Sequence, residues 1–250
     1  CQNDAVSPNN LPPTIPFTIV AQHPHSSSAF TQGLDYRDGL LYESTGLYGQ
    51  SGLSITDLQN RKRLKKIALD DTLFGEGLTL YNNEIIQLTW KSGKVFRYQA
   101  NDLTLLKEHR IDGEGWGITH NNRHLITSNG SANLTFRNPD SFVAEQELTV
   151  KFAGRPLKNL NELEWANNCL FANIWQTDTI AIINPNSGTT VYTMDLGQLA
   201  RPEKLKNPNH VANGIAYRED NGNFLVTGKN WPVIYELQLA LPVSSACLLY

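Results

Sequence analysis

The sequence predicts an all-β protein: a five-bladed β-propeller whose last blade is completed by the N-terminal strand. Three observations lead there. Five segments begin alike, at Gln32-Gly33-Leu34, Glu76-Gly77-Leu78, Trp116-Gly117-Ile118, Asn161-Glu162-Leu163 and Asn213-Gly214-Ile215. Their second residues fall at 33, 77, 117, 162 and 214, so the intervals are 44, 40, 45 and 52, the spacing of four-stranded blades. Short alternating strands broken by turn signals fill each interval, and no convincing amphipathic helix interrupts them.

Each repeat unfolds in the same order. Its opening strand meets a polar turn such as Tyr81-Asn82-Asn83 or His120-Asn121-Asn122. A second strand follows, at Leu40-Leu41-Tyr42, Ile85-Ile86-Gln87-Leu88, Leu125-Ile126-Thr127, Leu170-Phe171-Ala172 and Phe224-Leu225-Val226. A third comes at Val95–Tyr98 and Thr179–Ile183, often closed by an Asn-Pro turn such as Asn138-Pro139 or Asn184-Pro185. The fifth repeat has room for only three strands and ends near Leu239, while an unassigned strand lies at Pro16–Ala21. Joining the two closes the ring and removes exposed sheet edges. The expected organisation is a tether over residues 1–13, one propeller over 14–240 and a short tail over 241–250.

Composition narrows the function classes. The chain has 250 residues, a formal net charge of -3 and 40% apolar residues, enough for a packed core. A mildly acidic balance gives no electrostatic reason to expect nucleic acid as a partner. The basic run Arg61–Lys66 reads as the solvated edge of an outer strand, where lysines discourage edge-to-edge pairing. No stretch reaches the roughly 18 apolar residues of a membrane helix. Cys1 leads a polar, Pro- and Asn-containing segment, as in a bacterial lipoprotein whose N-terminal cysteine carries the lipid; an arbitrary chain end reads the same way. The first reading implies a membrane tether through lipidated Cys1 and a place in the bacterial periplasm or cell envelope, or secretion. Cys169 and Cys247 are read as one disulfide or as two free thiols behaving as small apolar residues, with the second favoured.

The repeat also selects a site. In a propeller the first strand of each blade lines the central channel and the second runs antiparallel to it. The start of one and the end of the other therefore meet at one mouth. The first set holds Gln32, Glu76, Trp116, Asn161 and Asn213; the second holds Gly46, Trp90, Gly130, Trp175 and Lys229. Singly, a tryptophan at a blade end is packing and an asparagine before a strand is a turn residue. Together, three of the five tryptophans with one carboxylate, several carboxamides and a lysine make apolar walls with a few placed polar groups, the composition of a small-molecule site.

These residues sit in recognisable motifs. Phe30-Thr31-Gln32-Gly33-Leu34, Phe74-Gly75-Glu76-Gly77, Leu88-Thr89-Trp90, Glu114-Gly115-Trp116-Gly117, Leu160-Asn161-Glu162-Leu163-Glu164, Ala172-Asn173-Ile174-Trp175 and Thr227-Gly228-Lys229-Asn230-Trp231-Pro232 resemble the plant- and bacterial-type glutamine cyclotransferases. The resemblance runs from about residue 16 to 239 and touches every blade. It implies cyclisation of N-terminal glutamine to pyroglutamate with release of ammonia, on peptide or protein substrates, by an expected monomer. It places the essential carboxylate on Glu76 and the pocket on Phe30, Gln32, Phe74, Trp90, Trp116, Asn161, Trp175 and Lys229. Two departures touch the rim. His25-Ser26-Ser27-Ser28 stands where the family has His-Asp-Pro, and Ser128-Asn129-Gly130-Ser131 where it often has Ser-Asp-Gly-Ser.

The expected chemistry is intramolecular, so a positioned proton shuttle is needed and a covalent enzyme nucleophile is not. No cofactor is expected: the six histidines show no HExxH or paired-ligand spacing, although the central channel has room for a structural cation. Two rival readings make different predictions. A non-catalytic binder of peptide N-termini predicts loss of Glu76 or of the aromatic set. A calcium-dependent lactonase-type propeller needs several carboxylates at the mouth, where this chain offers amides and aromatics.

Overall fold

A computed structural model describes residues 11–240 and Cys247. Strand β1 (Phe17–Pro24) precedes four complete blades. Blade one holds β2 (Thr31–Arg37), β3 (Leu40–Thr45), β4 (Gly52–Asp57) and β5 (Lys62–Ala68). Blade two holds β6 (Gly75–Tyr81), β7 (Glu84–Thr89), β8 (Lys94–Gln99) and β9 (Leu105–Arg110). Blade three holds β10 (Ile118–His120), β11 (Leu125–Thr127), β12 (Asn133–Arg137) and β13 (Ala144–Thr149), and a hairpin of β14 (Lys151–Phe152) and β15 (Arg155–Pro156) follows it. Blade four holds β16 (Leu160–Ala166), β17 (Cys169–Ile174), β18 (Thr179–Ile183) and β19 (Thr190–Asp195). Helix α1 (Gly197–Lys206) leads to β20 (Ala212–Tyr217), β21 (Phe224–Gly228) and β22 (Val233–Leu239).

The fifth sheet runs β1-β22-β21-β20, so the N-terminal strand is the outer strand of the last blade. It pairs antiparallel with β22 from Phe17 opposite Leu239 to Pro24 opposite Val233. The expected ring closure is therefore present, and the first and last strands share one sheet. β5 is the outer strand of blade one and its basic residues are exposed, as the edge reading requires.

Alternation along the second strands explains the packing. Successive side chains of a strand point to opposite faces, so neighbours serve different blade interfaces. Ile85 packs with blade one while Ile86 packs with blade three. Leu125 and Ile126, Leu170 and Phe171, and Phe224 and Leu225 divide in the same way. The result is one apolar cluster between each pair of neighbouring blades, including the pair that closes the ring.

Helix α1 was not anticipated. It opens on Gly197, carries Pro202 inside and buries only Leu199, Ala200 and Glu203, so its sequence lacks a clear helical stripe. Tertiary docking decides it: Leu199 and Ala200 join the cluster between blades four and five. The helix takes up part of the longest repeat interval. No helix among the described residues is long and apolar enough to cross a membrane.

The favoured reading of Cys169 and Cys247 as free thiols is corrected. The two are joined in a disulfide, with Cα atoms 5.4 Å apart across 78 residues of sequence. Both are buried in the cluster between blades four and five. Nothing in their spacing shows that the chain end returns to blade four. The rest of the expected tail and residues 1–10 of the expected tether lie outside the described residues.

Candidate active site

The innermost strands β2, β6, β10, β16 and β20 contact one another around the channel. Close approach there needs residues without side chains. A Cβ on Gly77 would stand 2.7 Å from the Trp116 carbonyl oxygen, and Gly33 and Gly117 face the next blade's backbone in the same way. Glu162 occupies the equivalent place in blade four. Its carboxylate accepts Leu34 N at 3.2 Å and Ile215 N at 2.8 Å, which ties blade four to blades one and five. Burial pushes its carboxyl well above the ordinary range, against the pull of these two N–H donors.

The pairing of inner with second strands slips at one place in four blades: between Thr31 and Gly33, Gly75 and Leu78, Leu160 and Leu163, and Ala212 and Ile215. The residues inside these bulges include Gln32, Glu76, Asn161 and Asn213. A bulge re-aims a side chain out of the pleat. Three of the four, Gln32, Glu76 and Asn161, thereby reach the lining of the cavity at the mouth.

That cavity has a volume of about 520 Å³. Phe30, Gln32, Phe74, Glu76, Trp90, Trp116, Asn161, Trp175 and Lys229 all line it. The structure thus brings these nine into one space, while Asn213, also expected at the mouth, stays outside the lining and donates to Gln32. Leu47, Gln176, Pro208, Asn209 and Val211 complete the lining and were not singled out by the repeat. Pro208 and Asn209 belong to the segment after α1, so the 52-residue interval was the available signal for them. Gly46 and Gly130, predicted at the mouth, serve as seats. A Cβ on Gly130 would press within 2.6 Å of the Trp116 ring, and one on Gly46 would strike Phe74.

The aromatic wall is built from two sets of ring contacts. Phe30 meets Phe74 edge-on at 6.2 Å, Phe74 meets Trp90 at 5.5 Å, and Trp116 meets Trp175 at 5.6 Å between centroids. Such edge-to-face pairs fix ring orientation as well as bury area.

Glu76 is 5% exposed and is the one carboxylate in the lining among the described residues. Gln32 Nε2 donates to its Oε1 at 3.0 Å, and Asn213 Nδ2 donates to Gln32 Oε1 at 3.1 Å. The Gln32 amide is therefore held from both ends. Burial pushes the Glu76 carboxyl well above the ordinary carboxylate range; Lys229 opposes the rise and Glu114 adds to it. Burial pushes the Lys229 ammonium down, and the Glu76 charge works against that. Lys229 Nζ rests 4.7 Å over the Phe30 ring. Asn161 Oδ1 is buried beside the cavity and has no hydrogen-bond partner among the described residues.

A second cavity, of about 620 Å³, opens at the opposite end of the channel, where the inner hairpins turn. Asp35, Arg37, His120, Glu164 and Arg218 give it a polar lining, and none of the mouth residues reaches it. Among the described residues no group of three or more His, Cys, Asp or Glu is arranged to hold a metal ion.

The fold and the site define a propeller-fold protein that gathers one buried carboxylate, one lysine and a tryptophan cage at a channel mouth. The family profile described as glutamine cyclotransferase matches residues 1–239. A glutaminyl-peptide cyclotransferase of Arabidopsis thaliana is 38% identical over 227 residues, covering 88% of this chain and 70% of the relative. The crystal structure of Myxococcus xanthus glutaminyl cyclase superposes with a TM-score of 0.85 at 35% identity, covering 91% of this chain and 98% of that one. The chain belongs to the glutamine cyclotransferase family.

Proposed function

We propose that this protein cyclises the N-terminal glutamine of peptides and proteins to pyroglutamate and releases ammonia, with Glu76 moving the proton. The observation that carries this reading is the buried Glu76 carboxylate, held by Gln32 in a cavity walled by tryptophans. Nucleophile and electrophile belong to one residue, so the protein's task is to fold glutamine back on itself. The walls of Trp90, Trp116 and Trp175 suit that shaping, and well-oriented intramolecular pairs gain several kcal/mol.

In the proposed step the α-amine nitrogen attacks the side-chain amide carbon. The carbonyl oxygen gains charge, and Lys229 is the donor we assign to it, because Gln32 is already engaged with Glu76 and Asn213. Glu76 takes the proton from the attacking nitrogen and passes it to the leaving nitrogen. The carbon–nitrogen bond breaks, ammonia departs, and Glu76 returns to its starting state. Asn161 Oδ1 accepts an N–H of the substrate. Substrate and side chains handle every bond and proton, so the scheme needs no cofactor.

The attack needs the α-amine neutral and Glu76 ionised, so turnover is expected to fall as pH drops and either group gains a proton. The amine ordinarily titrates at about 7.7–8.0 and burial pushes Glu76 up, so both groups shape the acid limb. A glutamine-initiated peptide mixed with the protein should lose the mass of one ammonia faster than it does alone. Glu76→Gln should keep the fold and lose about 10²-fold or more of the rate; near-wild-type turnover in that variant would overturn the assignment.

We also place the protein in an oxidising, extracytoplasmic compartment, on the strength of the Cys169–Cys247 bridge. Thiol labelling of protein isolated without reductant should leave both residues unmodified; full labelling of the pair speaks against that location.

A further inference from the structure

Glu114 does not line the cavity, yet two of its walls hang from it. Glu114 Oε2 accepts the indole Nε1–H of Trp90 at 2.7 Å and that of Trp116 at 2.9 Å. The two rings come from different blades: Trp90 follows β7, and Trp116 precedes β10. A charged acceptor shared by two donors fixes both ring planes, since either ring must give up a charge-assisted bond to rotate. The surrounding backbone is pinned as well. Gly115 N donates to the Trp90 carbonyl at 3.1 Å, and Trp116 N donates to the Ser128 carbonyl at 3.0 Å.

The clamp joins two halves of the wall. Phe74 packs edge-on against Trp90, and Trp175 packs edge-on against Trp116. Glu114 is the polar link between these pairs. We propose that Glu114 is a positioning residue for the cyclisation: it holds Trp90 and Trp116 at the angle that folds the glutaminyl side chain onto its own amine. This rests on the reaction proposed above.

Its charge has a second consequence. The charged groups that face Glu76 are Lys229 and Glu114, and they act in opposite directions. Removing the Glu114 charge takes away one of the two influences that raise Glu76, burial being the other, which favours the ionised form of Glu76.

Two variants separate reach from charge. Glu114→Gln keeps the length and removes the charge; Glu114→Asp keeps the charge and shortens the reach by one methylene. Nitrogen-15 spectra of the indole N–H groups, taken without substrate, read the clamp directly. We expect both resonances to move upfield in each variant, with the melting temperature close to wild type. In Glu114→Gln the acid limb of the kcat profile should move to lower pH. In Glu114→Asp kcat should fall about tenfold or more, with the limb in place and KM less affected. Unchanged indole resonances in both variants, or equal pH profiles in wild type and Glu114→Gln, would overturn the proposal. If the wild type fails to cyclise glutamine, the reaction assignment falls, while the indole spectra still decide whether the clamp exists.

Discussion

Lys229 shows how a single side chain acquires a role from its surroundings. It follows the second strand of blade five, is 6% exposed, stacks over Phe30, and among the described residues meets no carboxylate at ion-pair distance. A buried lysine without a tight partner is costly unless it serves the reaction. Lys229→Met keeps most of the volume and removes the donor, so kcat should drop about 10²- to 10³-fold while KM changes little; steady-state kinetics on a glutamine peptide check the split. Glu76, Asn161 and the tryptophans were legible because the repeat gives each an equivalent position. Glu114 was not, although it sits in a quoted motif. Its part depends on two indole rings from different blades turning toward one oxygen, and no spacing encodes that.

At the scale of elements, the segment after β1 is fastened by a buried ion pair. His25 Nε2 lies 2.8 Å from Glu43 Oε1 on β3, His25 Nδ1 lies 2.7 Å from the Trp231 carbonyl, and Thr31 Oγ1 donates to the same Glu43 oxygen at 2.8 Å. The rim segment His25–Ser28 thus opens on a clasp between blades one and five, made by His25, the residue it shares with the family's His-Asp-Pro. Burial alone would lower the His25 value, but the Glu43 charge and bond outweigh it, so His25 is raised above 6.5. Burial pushes Glu43 up, but His25 and Thr31 outweigh that, so Glu43 is lowered below 4.5. The raised histidine stabilises fully below 6.5 and loses this as pH rises through its folded value. The lowered carboxylate stabilises fully above 4.5 and loses this as pH falls through its folded value. The pair therefore contributes most between those limits. Glu43→Gln should lose roughly 3 kcal/mol near pH 6 and flatten the stability–pH curve on both sides; denaturant melts at pH 4, 6 and 8 test it. The bulges that aim Gln32, Glu76 and Asn161 were invisible in the sequence, because a bulge is a property of the paired strand and not of one strand alone.

Two ties hold the whole molecule together, one inside its last blade and one reaching blade four. β1 pairs with β22, and the Cys169–Cys247 bridge ties the chain end to blade four. A cross-link over 78 residues constrains the unfolded chain by about 4 kcal/mol in chain-entropy terms. Reduction should therefore lower the melting temperature by several degrees while leaving turnover at 25 °C near its starting value, because neither cysteine lines the mouth. Calorimetry with and without reductant, paired with the peptide assay, checks both halves. The sequence alone carries the five-fold repeat, the N-terminal completion of the last blade and most of the residues that gather at one mouth. It could do so because each blade repeats one local pattern, and equivalent positions in a closed ring must converge. Tertiary structure alone decided the helix before blade five, the disulfide, the bulges and the Glu114 clamp. Each of these depends on contacts between separate segments of the chain, where local propensity is weak and packing decides the outcome.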